Sequence, residues 1–392
     1  MSSNSIVIVA ARRTPIGSFQ GSLATVSATA LSAAATAACL EDCGLEPSAV
    51  DRVLLGCVLP AGLGQAPARQ AALAAGLPKE TACVTINKVC GSGMKAAMLG
   101  YDSIVAGSAR IALCGGMESM SNAPYLLPKA RTGYRMGHQE VLDHMLLDGL
   151  QNPADGNSMG HFAELTAQKY GFTREAQDGF AIASVSRARG AISTGHFNSE
   201  IAAIRTATRK GEVVVGEDEE PGRNDVAKIP QLKPAFAKNG TVTAASSSSI
   251  SDGAASLILM SEADAKKRKL AVLARIAGQA EFAQEPEWFT TAPVFAIKSL
   301  LSKLQWAADS VDLYEINEAF ACVAMAAMHD IGLDHAKVNV HGGACALGHP
   351  IGASGARIIV TLIHALRAKG GGRGVASLCI GGGEATAIAI EV

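Results

Sequence analysis

The sequence has few aromatic residues, almost no net charge and no cysteine pairs at metal-binding spacing. Aromatic residues make up 4% of the 392 residues against 41 glycines, so small side chains must build a core in which helices and sheet approach closely. A net charge of -1 gives no electrostatic reason to expect nucleic-acid or membrane partners. The 9 scattered cysteines show neither a disulfide framework nor zinc-ligand spacing. We therefore expect a reduced, intracellular protein without a metal.

We expect no targeting segment in this sequence. A strand is predicted from Ile6 onward, which leaves no room for a signal peptide. Residues 14–40 lack charges, but Ala, Ser and Thr dominate them, and this favours a buried helix over a membrane span. The final residues, Ile390-Glu391-Val392, are not a peroxisomal address. We expect a cytoplasmic protein by default.

Apolar strand patterns alternate with helical patterns in the first and last thirds of the chain. This alternation predicts an α/β fold with a mainly parallel sheet covered on both faces. Cys83 to Ile86 is predicted to be a short buried strand, and a helix with apolar residues at helical spacing follows it. The other predicted strands cover residues 6–10, 53–58, 110–114, 256–260, 272–276, 311–316, 338–341, 374–379 and 385–391.

Between the two α/β parts lies a long excursion rich in Pro, Met, His and charged residues. It contains two helical patterns, the second with Thr173 as its predicted cap, and a solvated acidic run at residues 217–220. We interpret the excursion as a domain that covers the substrate, since loops on a rigid scaffold often carry binding residues; a mere surface insertion is the alternative. The predicted domains are an N-terminal half (1–121 plus 250–271), a loop domain (122–249) and a C-terminal half (272–392).

The two α/β parts look like copies of one another. Cys90-Gly-Ser-Gly opens a helix in the first, and His349-Pro-Ile-Gly opens one in the second. A strand ending in Gly-Gly-Met-Glu-Ser corresponds to a later strand ending in Ile-Gly-Gly-Gly-Glu. Such pairing predicts a duplicated unit. Two related halves would place Cys90 opposite His349.

Four residues at strand-to-helix or strand-to-turn junctions suggest thiol chemistry. Cys90 lies at a helix start, where free amides and the helix dipole favour the nucleophilic thiolate. His349 is suited to act as its base, and Cys379 as a second acid or base. The glycines after Cys379 form a nest whose amides could bind an oxyanion, and Asn317 marks another junction. Taken singly, each residue has a structural alternative as a core or capping residue; their joint occurrence favours catalysis.

These motifs identify a known family. Asn87-Lys-Val-Cys-Gly-Ser-Gly-Met-Lys-Ala, Asn317-Glu-Ala-Phe, Gly342-Gly-Ala-Cys-Ala-Leu-Gly-His-Pro-Ile-Gly and Cys379-Ile-Gly-Gly-Gly resemble those of thiolases, the coenzyme A-dependent acyltransferases, along essentially the whole chain. The resemblance implies duplicated α/β halves in a layered αβαβα core with an inserted loop domain. Related decarboxylating enzymes on acyl carriers pair a Cys with two His, and Cys379 stands where the second His would be.

The resemblance also implies a ping-pong acetyl-CoA C-acetyltransferase reaction, with acetoacetyl-CoA as the leading substrate. Cys90 would take the acyl group with His349 activating the thiol, and Cys379 would remove a proton from the methyl group of acetyl-CoA. His349 and a water held by Asn317 would stabilise the enolate, and the amides of Cys90 and Gly381 the tetrahedral intermediate. The implied substrates are coenzyme A thioesters, with no tightly bound cofactor. The implied assembly is a homodimer or homotetramer.

For coenzyme A the resemblance implies a channel and a nucleotide end. Ser248 would lie beside the pantetheine, and Arg223 and Lys228 near the adenine and phosphates; the alternative for these two residues is ordinary surface charge. The residues implied to line the channel are Leu150, Met159, Phe236, Ala244, Ala319 and Phe320.

Two positions depart from the short-chain biosynthetic pattern. Ser158 replaces a His before Met-Gly, His161 lies beyond it, and Phe289 replaces a Met. We hypothesise that the reaction is retained while the chain-length preference has changed. The alternatives are a degradative 3-ketoacyl-CoA thiolase for longer or branched chains, and a non-catalytic acyl-CoA or lipid-binding protein on the same fold.

Overall fold

The strands form one large sheet and two small hairpins. The computed structural model describes residues 5–208 and 211–392. Within these residues the strands are β1 Ile6–Arg13, β2 Gly17–Ser18, β3 Arg52–Gly56, β4 Ala82–Ile86, β5 Ile111–Ser119, β6 Tyr125–Leu126, β7 Leu142–Asp143, β8 Ile204–Thr208, β9 Gly211–Val215, β10 Ser251–Ser261, β11 Ala274–Ala283, β12 Leu313–Ile316, β13 Arg373–Ile380 and β14 Glu384–Glu391.

Helices form where the patterns after Cys90, Thr173 and His349 predict them, whereas the helix expected within residues 14–40 begins only at Ala28; several helix ends are fixed by capping. Thr173 accepts a hydrogen bond from the Ala176 amide, as predicted, and Gly171 and Gly332 end helices in the left-handed region. The α-helices are α1 Ala28–Cys43, α2 Pro67–Ala74, α3 Ser92–Val105, α4 Met159–Tyr170, α5 Arg174–Ser193, α6 Glu220–Arg223, α7 Glu262–Arg268, α8 Ala292–Leu304, α9 Ala321–Ile331, α10 Ala344–Leu347 and α11 Ile351–Lys369.

The large sheet runs in the order β12-β13-β14-β11-β1-β10-β5-β3-β4, with β2 paired to β10. Its two halves meet where Val7 and Ile8 of β1 pair with β11. The expectation of a mainly parallel sheet is wrong, because only β3 with β4 and β5, and β12 with β13, are parallel pairs in the described chain. The glycine turn after Cys379 makes β13 and β14 a hairpin, and hairpins are antiparallel.

Two helices lie between the sheet halves and carry the site. α3 and α11 pack against each other, α3 mainly against strands of the first half and α11 against strands of both halves. α1 and α2 cover the outer face of the first half, and α8 covers that of the second. α11 is long and apolar enough to cross a membrane, but 83% of that stretch is buried inside the fold, as in a core helix. The layers are therefore those of the αβαβα arrangement.

Two strand predictions need correction. Residues 338–341 are not a strand: Val338 makes an isolated bridge with Tyr314. Asn339 has a φ of 48° and its side chain bonds the backbone of Ile316, so the chain turns there. The predicted strand at Cys83 exists as β4, but it is not buried, because it is the edge of the sheet and Val84 is 48% exposed.

Candidate active site

The turn that carries Cys90 is a strained connection between β4 and α3. Val89 has a φ of 46°, a left-handed conformation that a β-branched residue rarely adopts. Asn87 Oδ1 accepts from the Val89 amide at 2.9 Å, and Ser92 Oγ accepts from the Lys88 amide at 2.8 Å. Ser92 Oγ also donates to the Val89 carbonyl at 2.7 Å. These local bonds hold the strained turn and fix Cys90 ahead of the helix.

The Cys90 sulfur faces two backbone amides, its own and that of Gly381, and both lower the pKa of the thiol. Burial outweighs them and, with a smaller contribution from the charge of Glu118, raises the pKa to about 11. The expectation that the helix start favours a thiolate is therefore wrong for the resting protein. Cys90 holds its proton at neutral pH, so a base must remove it during reaction.

His349 lies between α10 and α11, after Gly348 whose φ of 102° and tight contact with Ser251 suit only glycine. Ser354 Oγ donates to the Pro350 carbonyl at 3.0 Å and lies 2.6 Å from His349 Nδ1. With the hydroxyl proton on the Pro350 carbonyl, Ser354 Oγ can accept from His349 Nδ1, and this tautomer leaves the lone pair of Nε2 available for a proton. Burial, helped by the charge of Arg357, lowers the pKa of His349 to about 3. The imidazole is therefore a neutral base at physiological pH.

Asn317 and Cys379 lie directly behind these groups. Asn317 follows β12, and its Nδ2 atom is 3.5 Å from His349 Nε2. Cys379 is fully buried near the end of β13, and the charge of Cys90 is among the causes that raise its pKa, so the two thiols are neighbours. Burial is the larger cause and keeps Cys379 protonated at rest.

One cavity of about 430 Å³ collects most of the predicted residues. Cys90, His349 and Gly381 line it, as do Ser248 and five of the six predicted channel residues. Of its eighteen lining residues that the structure describes, ten come from residues 122–249. The full lining is Cys90, Leu146, Gly149, Leu150, Gln151, Ser158, Met159, Gly160, Phe236, Ser247, Ser248, Ile250, Phe289, Ala319, Phe320, His349, Ile351 and Gly381.

The remaining predicted residues line an adjoining pocket of about 420 Å³. Ala244, Arg223 and Lys228 lie there, and Ser247 lines both spaces. Each cation already has an acidic partner: Arg223 is 3.2 Å from Glu219, and Lys228 is 3.0 Å from Asp225. Their role at the nucleotide end of coenzyme A stays a prediction.

Comparisons with known proteins decide the family. The thiolase N-terminal domain matches residues 6–263 and the thiolase C-terminal domain matches residues 270–392. The chain belongs to the thiolase family. It is 50% identical over 387 residues to an acetyl-CoA acetyltransferase of Pseudomonas aeruginosa, covering 98% of both chains.

Solved thiolase structures share the whole fold. The Acat5 thiolase from Ascaris suum in complex with coenzyme A has a TM-score of 0.94 and 44% identity, with 99% of each chain covered. Human mitochondrial 3-ketoacyl-CoA thiolase has a TM-score of 0.95 and 38% identity, again with 99% of each covered. The implied layered thiolase fold is thereby confirmed, whereas the fold alone does not separate the two substrate preferences.

Three groups in this thiolase escaped the sequence argument. Ser354 was hidden within the apolar pattern of α11, although its position five residues after His349 is a usable signal. Leu146 and Gly149 reach the cavity from a π-helical turn, a rare form without a sequence signature. Glu118 follows the Gly-Gly-Met pattern, but its contacts come from two separate segments of the chain.

Changing Ser354 to alanine tests the orientation of the imidazole. We expect kcat to fall about 10-fold, the equivalent of one neutral hydrogen bond, because His349 Nδ1 loses its partner and the imidazole can turn. KM should change little, since Ser354 does not line the cavity. Steady-state thiolysis kinetics with a melting curve would check this. An unchanged kcat in a folded variant would show that Ser354 does not orient the base.

Proposed function

We propose that this thiolase is an acetyl-CoA acetyltransferase that makes and cleaves acetoacetyl-CoA through an acyl group on Cys90. The carrying observation is that Cys90, His349 and Gly381 share one cavity with Asn317 and Cys379 immediately behind it. The 50% identity with an acetyl-CoA acetyltransferase over nearly the full chain supports the same reaction class.

The first half-reaction transfers an acyl group to sulfur. His349 Nε2 takes the proton of the Cys90 thiol as the sulfur attacks the thioester carbonyl of acetyl-CoA. The amides of Cys90 and Gly381 stabilise the oxyanion of the tetrahedral intermediate, a contribution of about 3 kcal/mol for each donor. Collapse of the intermediate releases coenzyme A, which takes a proton as its thiol, and leaves acetyl-Cys90.

The second half-reaction forms the carbon–carbon bond. His349, neutral again after it has protonated coenzyme A, takes the proton of the Cys379 thiol. The Cys379 thiolate then removes a proton from the methyl group of a second acetyl-CoA, the carbanion attacks the acetyl-Cys90 carbonyl, and His349 returns its proton to the departing Cys90 sulfur. Asn317 has a buried oxygen without a partner among the described residues, and it holds the water that supports the enolate with His349. Acetoacetyl-CoA leaves and Cys90 regains its proton; thiolysis reverses each step.

Two residues at the acyl end of the cavity affect the length of acyl chain that it can accept. Phe289 is 2% exposed and packs edge-on against Phe162 at a ring separation of 6.4 Å, so it forms a fixed wall. Ser158 supplies a small side chain at the start of α4. A rigid wall favours short acyl chains, whereas the small Ser158 leaves room that favours the longer-chain alternative.

Thiolysis of 3-ketoacyl-CoA substrates with 4 to 16 carbons tests both the reaction and the preference. We expect the highest kcat/KM for the four-carbon substrate. Phe289→Ala should raise the ratio of eight-carbon to four-carbon kcat/KM at least about 10-fold, because methylene groups gain space. A wild-type maximum at longer or branched chains would establish the degradative alternative. No cleavage of any substrate would overturn the proposed function.

Assembly, cofactor use and location complete the proposal. We propose a homodimer or homotetramer in the cytoplasm that uses coenzyme A thioesters and no tightly bound cofactor. The half-exposed edge strand β4 supports association, as does the exposed apolar surface of the segment from Tyr125 to Val141, in which Met136 is 93% exposed. Sedimentation of the purified protein would give the number of subunits.

A further inference from the structure

We propose that Glu118 is a positioning residue that holds Cys90 and the segment of His349 in register across the two halves. The inference deepens the proposed function and rests on it. Glu118 is fully buried near the end of β5. It does not line the cavity, so it acts through its neighbours.

The carboxylate joins two segments that belong to different halves. Oε1 accepts from the Leu59 amide at 3.1 Å, and Oε2 from the Val58 amide at 3.0 Å, both in the turn after β3. Oε2 also accepts from the Gly352 amide at 2.9 Å, in the first turn of α11 just after His349. The Cys57 thiol is a fourth donor at 3.6 Å. One side chain therefore ties the first half to the helix that follows His349.

The segments approach too closely for other residues. A Cβ added to Gly116 would lie 2.0 Å from the Gly352 carbonyl oxygen, and one added to Gly352 would lie 2.6 Å from Glu118 Oε2. Such close backbone contact requires glycine on both sides. The start of α11 is thereby seated directly on β5, and the carboxylate fixes it there.

The turn held by Glu118 also supports Cys90. Val58 and Leu59 form a small buried cluster with Ile351, and Cys90 and Leu150 pack against this cluster. Ile351, Cys90 and Leu150 all line the cavity. Displacing the turn would therefore shift the nucleophile and the Leu150 side of the cavity together.

Charge gives Glu118 a second effect on the nucleophile. Its negative charge is one of the causes that raise the pKa of Cys90. Burial raises the pKa of Glu118 itself to about 7, although the amides of Val58, Leu59 and Gly352 act to lower it. No cation is among the causes that act on this pKa in the part of the chain that the structure describes. The titratable groups in direct interaction with it are Cys57 from the turn after β3 and Cys90 ahead of α3; Asp252 on β10 pairs instead with the neighbouring Ser119. The carboxylate thus disfavours a free thiolate until His349 takes the proton.

Glu118→Gln tests position and charge together. An amide has one acceptor oxygen, and its NH₂ group faces a backbone donor, so one side of the clamp is lost. We expect kcat for acetoacetyl-CoA thiolysis to fall about 100-fold with KM nearly unchanged. The rate at which iodoacetamide alkylates Cys90 should also be measured as a function of pH. We expect the midpoint of this pH profile to be roughly one unit lower than in the wild type, because the neighbouring negative charge is gone.

Two variants separate these effects from folding. Glu118→Asp keeps the charge but withdraws it from the amides, so kcat should fall while the alkylation midpoint stays near that of the wild type. Glu164→Gln is the matched control, since Glu164 accepts from the Thr241 and Val242 amides in the loop domain. It should lower the melting temperature and leave the alkylation profile unchanged.

These experiments test whether Glu118 is a positioning residue, whatever the physiological substrate is. Alkylation requires no thioester, so it reports the coupling of Glu118 to Cys90 even if the proposed reaction proves wrong. Wild-type kcat and alkylation profiles in Glu118→Gln, with only a lower melting temperature, would make Glu118 purely structural and overturn the proposal. If Glu118→Gln does not fold, wild-type kcat in Glu118→Asp would overturn it equally.

Discussion

Replacing Cys90 with alanine is expected to lower the thiolysis of acetoacetyl-CoA by about 10⁴-fold or more, because the covalent route disappears with the sulfur. The cavity would remain intact, since the methyl group of alanine keeps the turn that Asn87 and Ser92 hold. The decrease in enolate absorbance of acetoacetyl-CoA in the presence of coenzyme A measures the rate. Mass spectrometry of the variant after incubation with acetyl-CoA should detect no acetyl group on the peptide from this turn.

Cys83→Ala is the matched control for this change. Cys83 is another partly buried thiol of the same half, on β4, and burial also raises its pKa. It lies outside the cavity, so its loss should leave thiolysis near the wild-type rate. Substantial turnover by Cys90→Ala would exclude Cys90 as the nucleophile and require another acceptor for the acyl group.

The elements of the fold were largely predictable because their signals are local. Apolar periodicity located α3 and α11, and the hydroxyl of Thr173 marked a helix start. Strand direction was not predictable in the same way, since pairing depends on where a strand returns after the long inserted chain of residues 122–249. The failed strand at residues 338–341 has a similar cause, because the Asn339 side chain takes the backbone bonds of Ile316 that a neighbouring strand would use.

The candidate site shows the same difference between features with a local sequence signal and features that depend on distant contacts. The internal duplication and the motifs predicted that Cys90 and His349 would meet, and both line one cavity. The acid–base state was not predictable from the helix-start rule, because burial acts more strongly on the pKa of Cys90 than two amides do. The role of Glu118 was likewise not predictable from the sequence, because it depends on a contact between distant segments. Val58 and Gly352, far apart in the chain, donate to the same carboxylate oxygen.

Replacing Cys379 with alanine should separate the two half-reactions. Thiolysis and condensation are expected to fall about 10³-fold, the usual worth of a general acid or base, because proton transfer at the substrate carbon has lost its group. Acetyl transfer from acetyl-CoA to Cys90 needs only Cys90, His349 and the two amides, so it should persist. Exchange of labelled coenzyme A into acetyl-CoA measures that half-reaction alone, and peptide mass spectrometry should show acetyl-Cys90 accumulating.

The second buried thiol in this region supplies the control. Cys322 is fully buried in the same core cluster, and its charge acts on Cys379, but it donates to the Ala163 carbonyl and lies outside the cavity lining. Cys322→Ala should lower the melting temperature and leave both half-reactions near wild type. If exchange and condensation fell equally in Cys379→Ala, Cys379 would act by supporting Cys90 rather than by moving the proton. Retained exchange with lost condensation can arise only if the two thiols divide the chemistry, one holding the acyl group and the other handling the carbon-bound proton.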